Sequence, residues 1–189
     1  TKVDPRAFDW QGEFAGVLDN GGFDCIIGNP PYIKLQNFRK RQPKIAACLV
    51  KRYRSAQSGN FDMYLPFIER GLELVNAQGR MGFIAPNVWL FNQYGRGLRE
   101  MVATSATLER FVDFKSHQVF EDATTYTALQ FFSKRTRETI EVLDGALFSP
   151  RDLRTAWKGR RHPTELSFEE TLELLKRDPD SISWQTLLQ

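Results

Sequence analysis

Phe23-Asp24-Cys25-Ile26-Ile27-Gly28-Asn29-Pro30-Pro31-Tyr32 is the stretch on which the fold turns. Gly21 and Gly22 precede a short apolar run with a β-branched pair, which predicts a buried strand over 23–28 rather than a piece of helix. Pro30 and Pro31 have no N–H to give a β-ladder, so the strand must stop there. Further along, Tyr64, Phe67, Ile68, Leu72 and Val75 recur at helical spacing and predict a helix over 62–75, with Gly79 placed to end it. Phe67 on that face is expected to be core. Met81-Gly82-Phe83-Ile84-Ala85 predicts a second buried strand, halted by Pro86. Leu98, Met101 and Val102 mark another helix, and Gly95-Arg96-Gly97 before them reads as a loop. Two more strands are expected at 108–114 and 126–132, the second alternating as an edge or antiparallel strand does. This order of strands and helices predicts an α/β class, an open sheet with parallel crossovers. Ligands of such sheets sit at the carboxyl ends of the strands. Asn29-Pro30-Pro31-Tyr32 and Pro86-Asn87 both fall there.

The composition narrows what such a sheet can do. At 189 residues the chain is long enough to close a core without staples. Cys25 and Cys48 are too few for a disulfide framework, so a reducing, cytoplasmic setting is expected. No apolar run approaches the roughly 18 residues of a membrane span, which argues against a membrane partner. His117 and His162 stand far apart with no cysteine beside them, so no metal site is expected. The net charge of +3 is small but unevenly placed. Between Asp24 and Asp62 there is no acidic residue, while Lys34, Arg39, Lys40, Arg41, Lys44, Lys51, Arg52 and Arg54 are all basic. A solvated surface usually mixes signs, so this segment is expected to face phosphates. Arg151, Arg154, Lys158, Arg160 and Arg161 form a second cluster, as compatible with a linker as with a polyanion. From Ser149 the chain turns polar, with one helix opened by a Ser167–Glu170 capping box and closed before Pro179. A boundary is therefore expected between residues 1–148 and 149–189, the latter a linker or the start of a further region.

Asn29-Pro30-Pro31-Tyr32 is the most specific signal. Average residue usage gives it a chance occurrence of roughly one in a thousand in a chain of this length. Its plain reading is a rigid turn. Its chemical reading starts from the exocyclic amine of a purine, a poor nucleophile because its lone pair is delocalised into the ring. Two acceptors that take both N–H groups from a pyramidal nitrogen would restore the lone pair. The Asn29 amide oxygen and the Pro30 carbonyl can be those acceptors. The prolines fix φ, so the carbonyl is aimed before substrate arrives. Tyr32 can stack on the ring, worth about 1–3 kcal/mol per base.

With these residues the sequence resembles the S-adenosylmethionine-dependent amino-methyltransferases, specifically the DNA N6-adenine enzymes of restriction-modification systems, of type II or IIG-like form. The likeness runs from about Phe8 to Lys134. It implies a Rossmann-like class I methyltransferase sheet, here its C-terminal half, followed by a linker or helical tail. It implies S-adenosylmethionine as cofactor and double-stranded DNA as partner, with Asn29, Pro30 and Tyr32 receiving a flipped adenine. Glu13 and Phe14 are similar to the pair that contacts the cofactor, and Pro31 and Phe67 would lie beside it. Asn60-Phe61-Asp62-Met63-Tyr64 and Gly79-Arg80-Met81-Gly82-Phe83-Ile84-Ala85-Pro86-Asn87 resemble the family's next helix and strand. Val119-Phe120-Glu121-Asp122-Ala123-Thr124 resembles the loop that supplies a second aromatic to the base, which makes Phe120 that residue.

The family's glycine-rich cofactor loop is missing upstream of Glu13. A chain cut from a longer protein is expected, one that binds cofactor poorly alone and needs the remainder of the parent: the upstream loop and a downstream target-recognition domain. Two rivals stay open on these residues. One is a methyltransferase acting on a glutamine side chain of release factors, which shares the tetrapeptide. The other is a non-catalytic DNA-binding or specificity module.

Overall fold

The structure, a computed structural model, describes residues 8–57, 59–105, 107–115, 119, 126–135, 139–144 and 164–166. Five α-helices and six strands, with three short 3-10 turns, are formed by them. They are α1 (Trp10–Asp19), β1 (Phe23–Gly28), α2 (Leu35–Arg41), α3 (Pro43–Arg52), α4 (Tyr64–Leu74), β2 (Val75–Pro86), α5 (Arg96–Ser105), β3 (Leu108–Asp113), β4 (Thr127–Ser133), β5 (Ile140–Asp144) and β6 (Thr164–Leu166). One sheet takes all the strands in the order β1-β2-β4-β3-β5-β6. β1 and β2 run parallel, as do β3 and β5, and β4 lies antiparallel between β2 and β3. No helix among the described residues is long and apolar enough to cross a membrane.

One face of the sheet makes the core. Met81, Phe83, Ala85, Phe111, Ala128 and Phe132 share that face by register and are buried. α4 covers it with Tyr64, Leu65, Ile68 and Leu72, and α5 with Leu98 and Val102. Trp89 and Gln130 are sealed inside and paired. The Trp89 indole N–H donates to Gln130 Oε1 (2.9 Å), and Gln130 Nε2 donates to the carbonyls of Ala85 (3.1 Å) and Pro86 (3.2 Å). These bonds satisfy groups whose burial would otherwise be costly, and they tie the end of β2 to β4.

Several local expectations are corrected. The strand at 23–28 is present but not buried: Cys25 is exposed and Ile27 is 84% exposed. β1 is the edge of this sheet, and only its Ile26 side packs on the core. The helix ends at Leu74, not near Gly79, because Val75 already pairs with Phe23. β2 bulges between its pairings to Phe23 and Cys25, and Gly79 sits in that bulge. A Cβ there would stand 2.6 Å from the Phe23 carbonyl oxygen, so the glycine permits the close approach of β1 rather than a helix stop. Gly95-Arg96-Gly97 is no open loop but the tight entry to α5; a Cβ on Gly95 would meet the Trp89 carbonyl oxygen. Phe67 is 46% exposed and not core. The 126–132 strand is antiparallel, as its alternation suggested, but it lies inside the sheet and not at an edge. α1, α2, α3, β5 and β6 were not anticipated. The tail helix at Ser167, His117 and His162 lie outside the described residues.

Gln130→Leu should leave the buried Trp89 N–H without its acceptor and take a donor from two strand-end carbonyls. The expected cost is about 2–4 kcal/mol. Urea unfolding should show it as a lower midpoint at an unchanged slope.

Candidate active site

β1 delivers the tetrapeptide to the carboxyl edge of the sheet. Gly28 still pairs with Phe83, and a Cβ on Gly28 would come within 2.9 Å of that ring. After it the chain leaves the ladder, as two residues without N–H require. Asn29 emerges exposed, Pro30 is buried beneath it, and Pro31 and Tyr32 are half-buried. The Tyr32 hydroxyl donates to the Ile84 carbonyl at 2.9 Å. The Tyr32 ring also meets Tyr64 edge-on, with centroids 6.5 Å apart and planes at 82°. Held at its hydroxyl and at one edge, the ring cannot swing freely. Burial pushes the Tyr32 phenol up to about 12, so it stays a neutral donor to Ile84.

The segment after Tyr32 is stitched to the entry of α4. Met63 N donates to the Ile33 carbonyl (2.8 Å), Leu35 N to that of Phe61 (2.9 Å), and Lys34 bridges Asp62 as an isolated β-pair. Burial raises the Asp62 carboxyl, against the lowering effect of the Tyr94 hydroxyl, which donates to Asp62 Oδ2 at 3.0 Å, and of Lys34. At the end of β2, Asn87 is engaged in structure: its Nδ2 donates to Asp113 Oδ1 (3.0 Å) and its N–H to the Tyr126 carbonyl (3.0 Å). Of the two strand ends marked by the sequence, only that of β1 leaves its amide side chain in the open.

Glu13 and Phe14 lie on α1, which kinks at Phe14 and buries no residue. Phe14 keeps 36% of its surface exposed and packs edge-on against Phe23 at 5.1 Å, with Trp10 and Phe8 beside it. Arg70, one turn beyond Phe67 on α4, stands over the Trp10 ring at 5.6 Å. α1 and the Phe67 side of α4 are thereby brought together. Phe120 lies outside the described residues.

Every cation of the basic segment is exposed. α2 and α3 carry six of them, Lys34 stands just before α2 and Arg54 in the 3-10 turn after α3, and Leu35, Ala46, Ser55 and Ala56 anchor the segment. The buried Glu69 carboxylate accepts the backbone N–H groups of Arg54 (3.0 Å) and Ser55 (2.7 Å) and fixes the segment's end. Arg52 pairs with Glu73 (3.1 Å) and Arg54 with Glu100 (3.3 Å). Arg39, Lys40, Arg41, Lys44 and Lys51 have no carboxylate partner among the described residues. Sequence reasoning treated the eight cations alike. It also missed Gln36 and Asn60, whose contact joins positions 24 apart: Gln36 N donates to Asn60 Oδ1 at 3.1 Å.

The sheet shares its fold with solved methyltransferases. It superposes on the methyltransferase subunit of a type I restriction-modification system from Streptococcus thermophilus with a TM-score of 0.61 at 18% identity, covering 93% of this chain and 41% of that one. A putative class I S-adenosylmethionine-dependent methyltransferase from Listeria monocytogenes gives 0.52 at 12% identity, covering 73% and 42%. The family model of the Eco57I restriction-modification methylases matches residues 1–120, and the chain belongs to that family. It is 36% identical over 127 residues to the type II restriction enzyme and methyltransferase RM.Eco57I of Escherichia coli, covering 67% of this chain. It spans only 13% of that relative's length.

Tyr32→Phe keeps the ring and removes the bond to the Ile84 carbonyl. The variant should lose about 1 kcal/mol of stability at neutral pH. A phenol pKa higher in the fold than in the unfolded chain gives a contribution that is whole below about pH 10 and fades as pH climbs towards 12. The stability gap between the parent and Tyr32→Phe should accordingly be flat at lower pH and close above it; a gap unchanged up to pH 12 would mean the hydroxyl is not held as described.

Proposed function

We propose that this chain carries the target-nitrogen pocket of an S-adenosylmethionine-dependent DNA methyltransferase of a restriction-modification system, acting on N6 of an adenine swung out of the duplex. The observation that carries the reading is the pairing of an open amide with a fixed ring. Asn29 stands exposed at a strand end, three residues from a tyrosine clamped at its hydroxyl. Asn29 Oδ1 and the Pro30 carbonyl accept the two N6 hydrogens and favour the pyramidal nitrogen that can attack. Tyr32 stacks on one face of the base, and Phe120 is the residue proposed for the other. Extrusion of the base costs a few kcal/mol, offset by this stacking.

The residues fit the cofactor. Phe14 and Phe67 are large apolar rings left partly open, and the Glu13 carboxylate beside Phe14 is exposed. A flat aminopurine wants such a set: rings to pack against and a carboxylate to accept its amino N–H. Glu13, Phe14, Pro31 and Phe67 are assigned to it. S-adenosylmethionine supplies an electrophilic methyl group when bound, and the chain's own task is to hold the nitrogen in line with it. The open β1 edge and Ile27 support a reading in which further sheet and helices of a longer protein cover them. Residues 1–148 would then be the pocket half of the domain, weak in cofactor binding alone, and 149–189 the approach to a target-recognition region. Lys34, Arg39, Lys40, Arg41, Lys44 and Lys51 are assigned to the DNA backbone. Arg52 and Arg54, already paired with glutamates, contribute less.

Asn29→Ala in the full-length protein tests the reading. Tritiated methyl transfer to plasmid DNA should fall by about 100-fold or more, with duplex affinity changed by less than about threefold. Nucleoside analysis of the product should find N6-methyladenine. Undiminished transfer by the variant, or label recovered in a protein glutamine instead, would overturn it.

A further inference from the structure

A cavity of about 450 Å³ opens beside the tetrapeptide, lined by Leu35, Gln36, Arg39, Lys40, Gly59 and Asn60. No carboxylate lines it. Leu35, only 2% exposed, gives it an apolar floor, extended by the aliphatic stems of Arg39 and Lys40. Its polar groups are mostly donors. Arg39 and Lys40 have nothing but N–H groups to offer. Asn60 spends its acceptor oxygen on Gln36 N, which leaves its NH2 as the free end of that amide. Gly59 turns the wall at φ +62, and a Cβ there would meet nothing within 4 Å, so the mouth is open on that side.

Donors around an apolar floor suit an acceptor-rich, partly apolar ligand. The volume lies within the range of small-ligand sites and far exceeds the roughly 30 Å³ of one water. A bare phosphate would rattle in it; a sugar with its phosphate would not. Location narrows the choice. Leu35 follows Tyr32 by three residues, so the floor lies within about 11 Å of the tyrosine backbone. That is the reach of a neighbouring nucleotide on a strand whose base occupies the Tyr32 pocket.

We infer that this cavity is a second nucleotide subsite, which holds the sugar and phosphate adjoining the extruded base in double-stranded DNA. The inference rests on the base-extruding reading above and adds to it a defined place for one backbone unit. Arg39 and Lys40 neutralise the phosphate, Gln36 and Asn60 hydrogen-bond it, and Leu35 packs against the sugar. The remaining cations of α2 and α3 attract DNA without seating it.

The test compares two double variants of the full-length protein that remove the same charge from exposed positions: Arg39→Gln/Lys40→Gln in the cavity and Arg96→Gln/Arg135→Gln outside the basic segment. Binding to a fluorescent duplex is followed as salt is raised. The cavity variant should bind about tenfold more weakly near 0.1 M salt, and its log–log salt slope should be shallower by about 1–2. The outside pair should change affinity by less than about twofold. Equal effects in both would overturn the subsite and leave only diffuse attraction. Deoxyadenosine monophosphate, titrated by calorimetry, should bind far more weakly than duplex; tight binding lost in the cavity variant would make this a free-nucleotide site and overturn the DNA assignment. Methyl transfer separates the two readings. If both double variants methylate plasmid alike, the subsite fails while the methyltransferase reading stands. If the parent never methylates DNA yet only the cavity variant loses duplex affinity, the methyltransferase reading fails, and with it the link to an extruded base, while the cavity stands as a DNA-backbone site.

Discussion

Two consecutive prolines that cannot donate a hydrogen bond decide where the sheet stops and the site begins. Pro30 and Pro31 have no N–H to give β2, so the chain leaves the ladder after Gly28, and Asn29 stands in the open. The chain does not wander after that. Tyr32 returns its hydroxyl to the Ile84 carbonyl on the neighbouring strand, and the next residues are pinned to the entry of α4 by paired backbone bonds. The corner is therefore rigid on both sides and open in the middle. An amide in that position keeps its hydrogen-bonding capacity for a ligand, and it loses little freedom when one arrives, because its backbone is already fixed.

The two faces of the sheet have opposite characters, and the difference bears on the site. On the α4 and α5 side, Trp89 and Gln130 close the core and lock the end of β2, the strand that supplies the Ile84 carbonyl. The stability of the core is thus transmitted to the Tyr32 ring through one strand. On the other face, Ile27 pairs in register with Gly82, and Gly82 with Phe131, while Ile84 pairs with Leu129. Gly82, Ile84, Leu129 and Phe131 are only half-buried, and Ile27 is bare. An apolar face of this extent on a folded chain is a surface that another element ordinarily covers.

Much of this was legible in the sequence, and the failures have physical causes. Strand limits set by proline were read correctly at Gly28 and Pro86, because a missing N–H is a local property. Gly79 was misread because a glycine that ends a helix and one that lets another backbone approach look alike in one dimension; only the bulge against Phe23 tells them apart. Phe67 was assigned to the core by its helical spacing, yet spacing says which residues share a face and not how far the covering layer extends. Ile27 shows the same limit on a strand: a β-branched pair implies burial only if both faces are covered. The Gln36–Asn60 contact could not be read at all, since it depends on a chain reversal through two helices.

The basic segment shows why a charge pattern is weaker evidence than a charge position. Eight cations in a row suggest one function, but a cation is available to a phosphate only if no carboxylate has reached it first. Glu73 and Glu100, from α4 and α5, take Arg52 and Arg54 at the far end of the run. Exposed pairs of this kind are worth under about 1 kcal/mol, so they do not hold the fold together. Their consequence is electrostatic: they cancel positive charge at the far end of the run, while Arg39, Lys40, Arg41, Lys44 and Lys51 keep theirs without a carboxylate partner among the described residues. Attraction is thereby graded along α3 and α2 towards Arg39, Lys40 and the strand end. A polyanion drawn to this surface would meet the unpaired cations of α2 and α3 rather than the paired end of the run.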